Sequence, residues 1–487
     1  MNASNRSAAT QVEREAAFGK LPVTREERIW SFADFTWVNI GLAIATWAFL
    51  IGGLTAVFLP AKEGIAAILI GNVIAVTLMA LATCTPSSKY GVEQYTVLRS
   101  VLGLLGTRGI VFFFIAIIEM GWVAVLAIMF GRSSTNVLNE TAGMSAGPNS
   151  LIVSVLGLVA IVISWLVLAR GPVSIKWLNR IVAPGLAVVT VVMLVLIFSG
   201  TSWAEITAAS PLEPFSDRQL NFVIAVEFNL AAGFSWWPVM GSLARLTRTQ
   251  KAAVYPNLIG LFAAACVGEI VGLLAALSLG SDDPTVWMIP LGGAALGVVA
   301  LLFIAFANVT SIVAISYSTC LAIRQTGGRA ISALRWEVLT GLFFLPAAVA
   351  VFFPSSIYDN FFVFLAWTSV AFAPLTGIYL VDFFWLRRRQ VDVRALYDEG
   401  PGSPYSFWKE INPVAVVALA LGAITYVLIL NPVTLEASSL FVYASASIPS
   451  LLVAAAAHAV GTILVNRRAG KGAYGNASDR QRHDLVK

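Results

Sequence analysis

Four acidic side chains and a histidine stand inside stretches that are otherwise almost wholly apolar: Glu119, Glu227, Glu269, Asp382 and His458. A carboxylate at mid-bilayer costs about 2.5–3.5 kcal/mol on insertion scales, so each such residue reads first as a functional group. Ionised, it needs a cation or several N–H donors. Protonated, it can relay a proton. Glu119, flanked by Ile118, Met120, Gly121 and Trp122, reads as ligand-facing. Glu227, close to Asn229, is open between a proton site and a tie between helices. Asp382 lies one turn before Arg387-Arg388-Arg389 and is expected to pair with them, and His458 to pack.

Two other patterns have chemical meaning. Gly41-Leu42-Ala43-Ile44-Ala45-Thr46-Trp47 and Ala231-Ala232-Gly233-Phe234-Ser235-Trp236-Trp237-Pro238 combine small residues with tryptophan in the middle of apolar runs. Pro238 removes a backbone donor. Backbone broken at membrane depth is tolerated only where it lines a cavity. Tryptophan ordinarily sits at the membrane interface, so Trp47 and Trp236 are either stacking platforms for a ligand or core packing. In Asn308-Val309-Thr310-Ser311, hydroxyl and carbonyl oxygens suit a small hard cation such as Na⁺. Thr310 and Ser311 are placed to meet carbonyls freed by the first break. Hydroxyls also bond back to their own helix, and that reading stays open.

The elements that hold these groups follow from composition. Of 487 residues, 58% are hydrophobic and 12% charged, against roughly 25% charged in soluble domains. Such a chain cannot cover a water-facing surface, which excludes a soluble enzyme, a disordered chain and a nucleic-acid binder. Cys84, Cys266 and Cys320 lie far apart, so neither a disulfide framework nor a zinc site is expected. No Walker loop, GxSxG or HExxH is present. The expectation is therefore no enzyme and no cofactor, save a bound Na⁺. The N-terminal residues lack the pattern of a signal peptide.

A spanning helix needs about 20 apolar residues. Twelve stretches qualify: 36–58, 64–84, 109–130, 150–169, 181–199, 219–243, 254–279, 291–323, 333–352, 359–385, 412–430 and 440–465. They are numbered here as spans 1 to 12. With the N-terminus inside, 28 of the 31 Lys+Arg lie on the inner side and only Lys62, Arg132 and Arg218 outside. That asymmetry predicts a multi-pass protein of the cell membrane with both termini cytoplasmic. Spans 1 and 6 each open a block of five, and broken helices at matching places point to an inverted repeat. The expected fold is an all-α membrane protein of twelve helices, a five-plus-five inverted repeat with spans 1 and 6 discontinuous. Its parts would be an N-terminal tail (1–30), the repeats (31–199 and 200–389), an inner loop with spans 11 and 12 (390–465), and a C-terminal tail (466–487).

The run from Pro374 through Gly377, Asp382, Phe383, Phe384 and Trp385 to Arg389 resembles the tenth-span signature of the nucleobase:cation symporters of the first family. Ala395-Leu396-Tyr397 and Tyr405-Ser406-Phe407-Trp408 are similar to that family's inner loop. The resemblance implies a carrier for purines, pyrimidines, allantoin or hydantoins, driven by Na⁺ or H⁺ through alternating access. It implies a substrate site of Trp47, Glu119, Ser235, Trp236 and Ser316. It further implies a Na⁺ site of the Ala43, Thr46 and Ala307 carbonyls with the Thr310 and Ser311 hydroxyls. Hydantoin-type members carry tryptophan where this chain has Glu119, glutamine at Val123 and asparagine at Ser316. Many carry an acid where it has Arg245. A carboxylate in the wall suits a ligand with adjacent N–H donors, such as an aminated or protonated heterocycle. An amino-acid or amine carrier, a non-transporting sensor and a membrane-embedded enzyme are the rival expectations.

Overall fold

The computed structural model describes residues 21–474 apart from 171 and 401, so most of both expected tails lies outside the described residues. Among the described residues the chain is helical, with isolated bridges and no named strand. Nine helices there are long and apolar enough to cross a bilayer, and the bent pair Phe32–Ala43 and Thr46–Phe58 makes a tenth. Spans 9 and 11 are the shorter apolar helices Trp336–Ala350 and Pro413–Ile429. At 1.5 Å per residue such helices fall short of a core about 30 Å thick. Spans 3 and 8 overrun their expected ends. The first is Leu104–Ala142 and the second Met288–Thr326, kinked at Gly293 where φ is 65°.

Span 1 breaks where its small residues predict. Ile44 closes the first half, Ala45 is extended at φ −137° and ψ 178°, and the halves diverge by 52°. Span 6 is interrupted more gently. Only Ser235 and Trp236 separate Arg218–Phe234 from Trp237–Ala244. Both stay in the right-handed helical region, so the axis continues. Pro238 falls in the first turn of the second half, where a missing N–H costs nothing.

Helix pairing arranges these pieces. The second half of span 1 lies along span 7, span 2 along span 6, and span 3 along span 8. Spans 4 and 9 join spans 3 and 8 in a second layer, while spans 10, 11 and 12 pack on one another and reach span 6. Small residues permit the closest approach, as expected where lipid supplies no hydrophobic drive between helices. A Cβ on Gly52 would lie 1.8 Å from the Glu269 carbonyl oxygen, and one on Gly272 would lie 2.1 Å from that of Phe49. Spans 1 and 7 are thus in backbone contact.

Candidate functional site

Between these layers a cavity is lined by Trp47, Glu119, Trp122, Leu126, Ser235, Trp236, Val239, Ser311 and Ile315. Spans 1, 3, 6 and 8 each supply a wall. Glu119, Trp122 and Leu126 share one face of span 3 through i, i+3 and i+4 spacing. The break in span 1 places Trp47, whose Nε1–H donates back to the Leu42 carbonyl at 3.1 Å. That bond satisfies a backbone oxygen the break would strand. The Trp47 and Trp236 rings meet edge-on, centroids 5.7 Å apart. Ser235 turns its hydroxyl to the Ala232 carbonyl at 2.6 Å.

Glu119 is the unusual group. It is 1% exposed, and neither carboxylate oxygen has a hydrogen-bond partner. Buried polar atoms are ordinarily paired. The Trp122 indole N–H is likewise unpartnered. Of the expected substrate residues, Trp47, Glu119, Ser235 and Trp236 line the cavity, whereas Ser316 is buried outside that lining with its hydroxyl unpartnered. Ser316 follows Ile315 and is turned roughly 100° away around the helix. Trp122, Leu126, Val239 and Ile315 complete the wall. Their helical spacing from Glu119, Trp236 and Ser311 was the signal for them.

The hydroxyls of span 8 face the break in span 1. Thr310 donates to the carbonyls of Gly41 at 3.2 Å and Ala307 at 2.7 Å, and Ser311 lies 3.5 Å from that of Leu42. Asn308 donates to the Thr46 hydroxyl at 2.9 Å. Neutral oxygens of both spans therefore converge here. Among the described residues no group of His, Cys, Asp or Glu is arranged to hold a metal ion.

Aromatic side chains cluster beside these walls. Phe58 packs on Phe215, Phe228 and Phe362, with centroids 5.5, 6.3 and 5.8 Å away, and Trp122 meets Phe364 at 5.3 Å. The short helix Gln94–Leu102 bonds to the second half of span 6. Gln94 donates to the Trp237 carbonyl at 2.9 Å and Tyr95 to that of Pro238 at 3.1 Å. Glu93, outside the spans, caps this helix through Tyr95 N–H at 2.7 Å and accepts from the Ser242 hydroxyl at 2.6 Å. Burial pushes its carboxyl up to about 7, against the pull of those donors and of Arg245. Arg245 is fully buried, with Tyr317 as a partner at 3.1 Å.

Two of the other embedded acids are occupied. Glu227 accepts from the backbone N–H groups of Ala446 and Ser447 at 3.0 and 3.1 Å, and from the Ser447 hydroxyl. It ties span 6 to the start of span 12, a helix end that favours an anion. Asp382 bonds Arg387 at 2.7 Å and the Tyr474 hydroxyl at 2.6 Å. His458 stands 3.1 Å from the same carboxylate. It is therefore a polar partner, where packing was expected, because span 12 crosses span 10 at this level.

A broken span 1 and an interrupted span 6 beside an aromatic-walled cavity fit a membrane carrier. Residues 22–446 match the family "Permease for cytosine/purines, uracil, thiamine, allantoin", and the chain belongs to that family. It is 24% identical to the purine-uracil permease of Arabidopsis thaliana, covering 83% of this chain and 70% of that one. Against the allantoin permease of Bacillus subtilis the identity is 24%, with 83% and 85% covered. The fold is that of the nucleobase-cation-symport-1 family transporter Mhp1, closed with bromovinylhydantoin bound. The TM-score is 0.72 at 18% identity, with 92% and 96% covered. The protein is a transporter and not an enzyme.

Proposed function

We propose that this protein imports a small, flat nitrogen heterocycle with adjacent N–H donors, by cation-coupled alternating access across the cell membrane, with both termini cytoplasmic. The observation that carries this reading is the Glu119 carboxylate, unpartnered in a chamber with three indoles in its wall. Two parallel N–H···O bonds to a carboxylate supply orientation as well as energy. A planar ring lying on the open face of Trp47 or Trp236 gains stacking of about 1–3 kcal/mol. An oxo-only ring turns acceptors toward Glu119 and is rejected, because unpaired polar atoms are costly. The relatives' purines, uracil and allantoin set the chemical neighbourhood, and within it the carboxylate favours aminated members.

For Na⁺ the reading takes the Ala43, Thr46 and Ala307 carbonyls with the Thr310 and Ser311 hydroxyls, and the approach of those hydroxyls to the neighbouring Gly41 and Leu42 carbonyls at the break supports it. Ser311 also lines the cavity, so ion and substrate share a wall and each raises the other's affinity. Glu119 with its indoles also favours a second reading, an organic amine held by charge and cation–π contact. Uptake into proteoliposomes under separate Na⁺ and pH gradients decides. Concentrative uptake of labelled guanine, whose ring N1–H stands beside its exocyclic amine, blocked by other nucleobases and not by amines, is expected. Competition by amines alone, or binding without concentrative uptake, would overturn the proposal.

A further inference from the structure

Glu269, in span 7, is the embedded carboxyl that neither the chamber nor a helix end uses. It is fully buried, and its Oε2 accepts one bond, from the Asn72 amide at 2.7 Å. Its Oε1 has no partner. The same amide of Asn72 reaches the Asn229 side-chain oxygen at 3.0 Å, and Asn229 in turn lies 3.4 Å from the Thr55 hydroxyl. One polar thread therefore crosses spans 7, 2, 6 and 1 inside the membrane.

Among the described residues no cation pairs with this carboxyl. Within span 7 the titratable groups are Lys251 and Tyr255 near its inner start and the Cys266 thiol one turn away. The second half of span 1 and the turn Leu258–Ala264 bring none. Span 2 brings Lys62, Glu63, Cys84, Lys89 and Tyr90. Glu63 pairs at the outer end with Arg218 of span 6. Glu227 of span 6 is spent on span 12. Asp34 of span 1 pairs with Arg180 of span 5 at 2.5 Å; Lys176 lies one turn earlier in sequence, and Glu205 belongs to the short helix Trp203–Ala208. Among the described residues none of these cations forms an ion pair with Glu269. A buried anion held by a single amide costs several kcal/mol, whereas the acid form does not.

We propose that Glu269 is a proton-binding site of the transport cycle, with Asn72 as its positioning residue. This rests on the transporter reading and adds a coupling proton to it. In the step, hydronium gives its proton to Oε1: an O–H bond forms on the carboxyl, one breaks on hydronium, and water leaves. Neutralisation weakens the charge-assisted bond from Asn72 and so loosens span 2 from span 7. Span 7 is the helix against which the second half of span 1 packs, through the Gly52 contact. Proton occupancy and the position of that half are then linked reciprocally.

Infrared difference spectroscopy on the full chain in liposomes, between acid and alkaline buffer and with no organic ligand, tests this. A carboxylic-acid C=O band is expected that disappears in Glu269→Gln and persists in Glu119→Gln and Glu227→Gln. Asn72→Ala, the second variant should Glu269→Gln fold poorly, is expected to shift that band. A spectrum unchanged by Glu269→Gln, or a band unmoved by Asn72→Ala where only that variant folds, would overturn the site. Loss of the band on adding Na⁺ at constant acid pH would overturn it too, because the carboxyl would then hold a metal cation. Absence of uptake for every heterocycle would sink the transport reading while leaving the band in place, so the two failures are separable.

Discussion

Asp382 and Glu119 are both about 1% exposed in the membrane interior, and they live in opposite surroundings. Asp382 has Arg387, His458 and Tyr474 around it, and the Arg387 guanidinium lies 4.1 Å from the Tyr474 ring centre. Glu119 has no polar partner. A carboxylate answered on every side holds helices together. One left unanswered beside a chamber is open to a ligand. Embedded charge alone therefore does not mark a binding site; its unfilled valence does.

The largest effect belongs to the saturated site. Arg387→Ala strands Asp382 and is expected to cost about 3–5 kcal/mol, read as a lower thermal midpoint in detergent. Asp382→Leu with Arg387→Met should cost far less, and an equal loss would deny the pair its structural role. At the open site the order reverses. Glu119→Gln should lower transport at least tenfold with the thermal midpoint kept, and unchanged kinetics would remove Glu119 from the substrate's path. Trp236→Ala should weaken binding by about 1–3 kcal/mol of lost stacking while expression holds; collapse of expression would make Trp236 a packing residue.

A smaller effect is expected at the ion. Thr310→Ala with Ser311→Ala should abolish Na⁺ dependence of uptake, and retained dependence would place the ion elsewhere. The smallest concerns Glu93, outside the spans. Its folded carboxyl titrates near 7 against 4.5 unexposed to burial, so the stability it favours is complete below the lower value and lost as pH rises to the upper one. Glu93→Gln should flatten the thermal midpoint between those limits. An unaltered pH profile would contradict its burial as the cause.

The sequence made much of this contrast readable. The span 1 break, both indoles and Glu119 were visible because small residues, tryptophan and acid are anomalous inside apolar runs. What stayed hidden depends on tertiary contact. The Asp382–His458 pair joins residues 76 apart, and Tyr474 comes from beyond the last span. Trp122 stood three residues from Glu119, yet local pattern does not say which face of span 3 meets the chamber. For the same reason Ser316 was expected beside the ligand, where the helix turns Ile315 and Ser311 inward instead. The ends of spans 3 and 8 were misjudged because each helix continues through polar turns that packing protects.

The role proposed for Glu119 is to read a heterocycle's paired N–H donors beside the indoles of Trp47 and Trp236. Thermal shift of purified wild-type protein and Glu119→Gln with guanine, adenine, uracil and allantoin measures it. Ligand that binds the native state raises the midpoint by mass action. An aminated base that stabilises wild type and leaves Glu119→Gln unmoved is the predicted result. Equal stabilisation of both proteins, or none by any of the four, would contradict it.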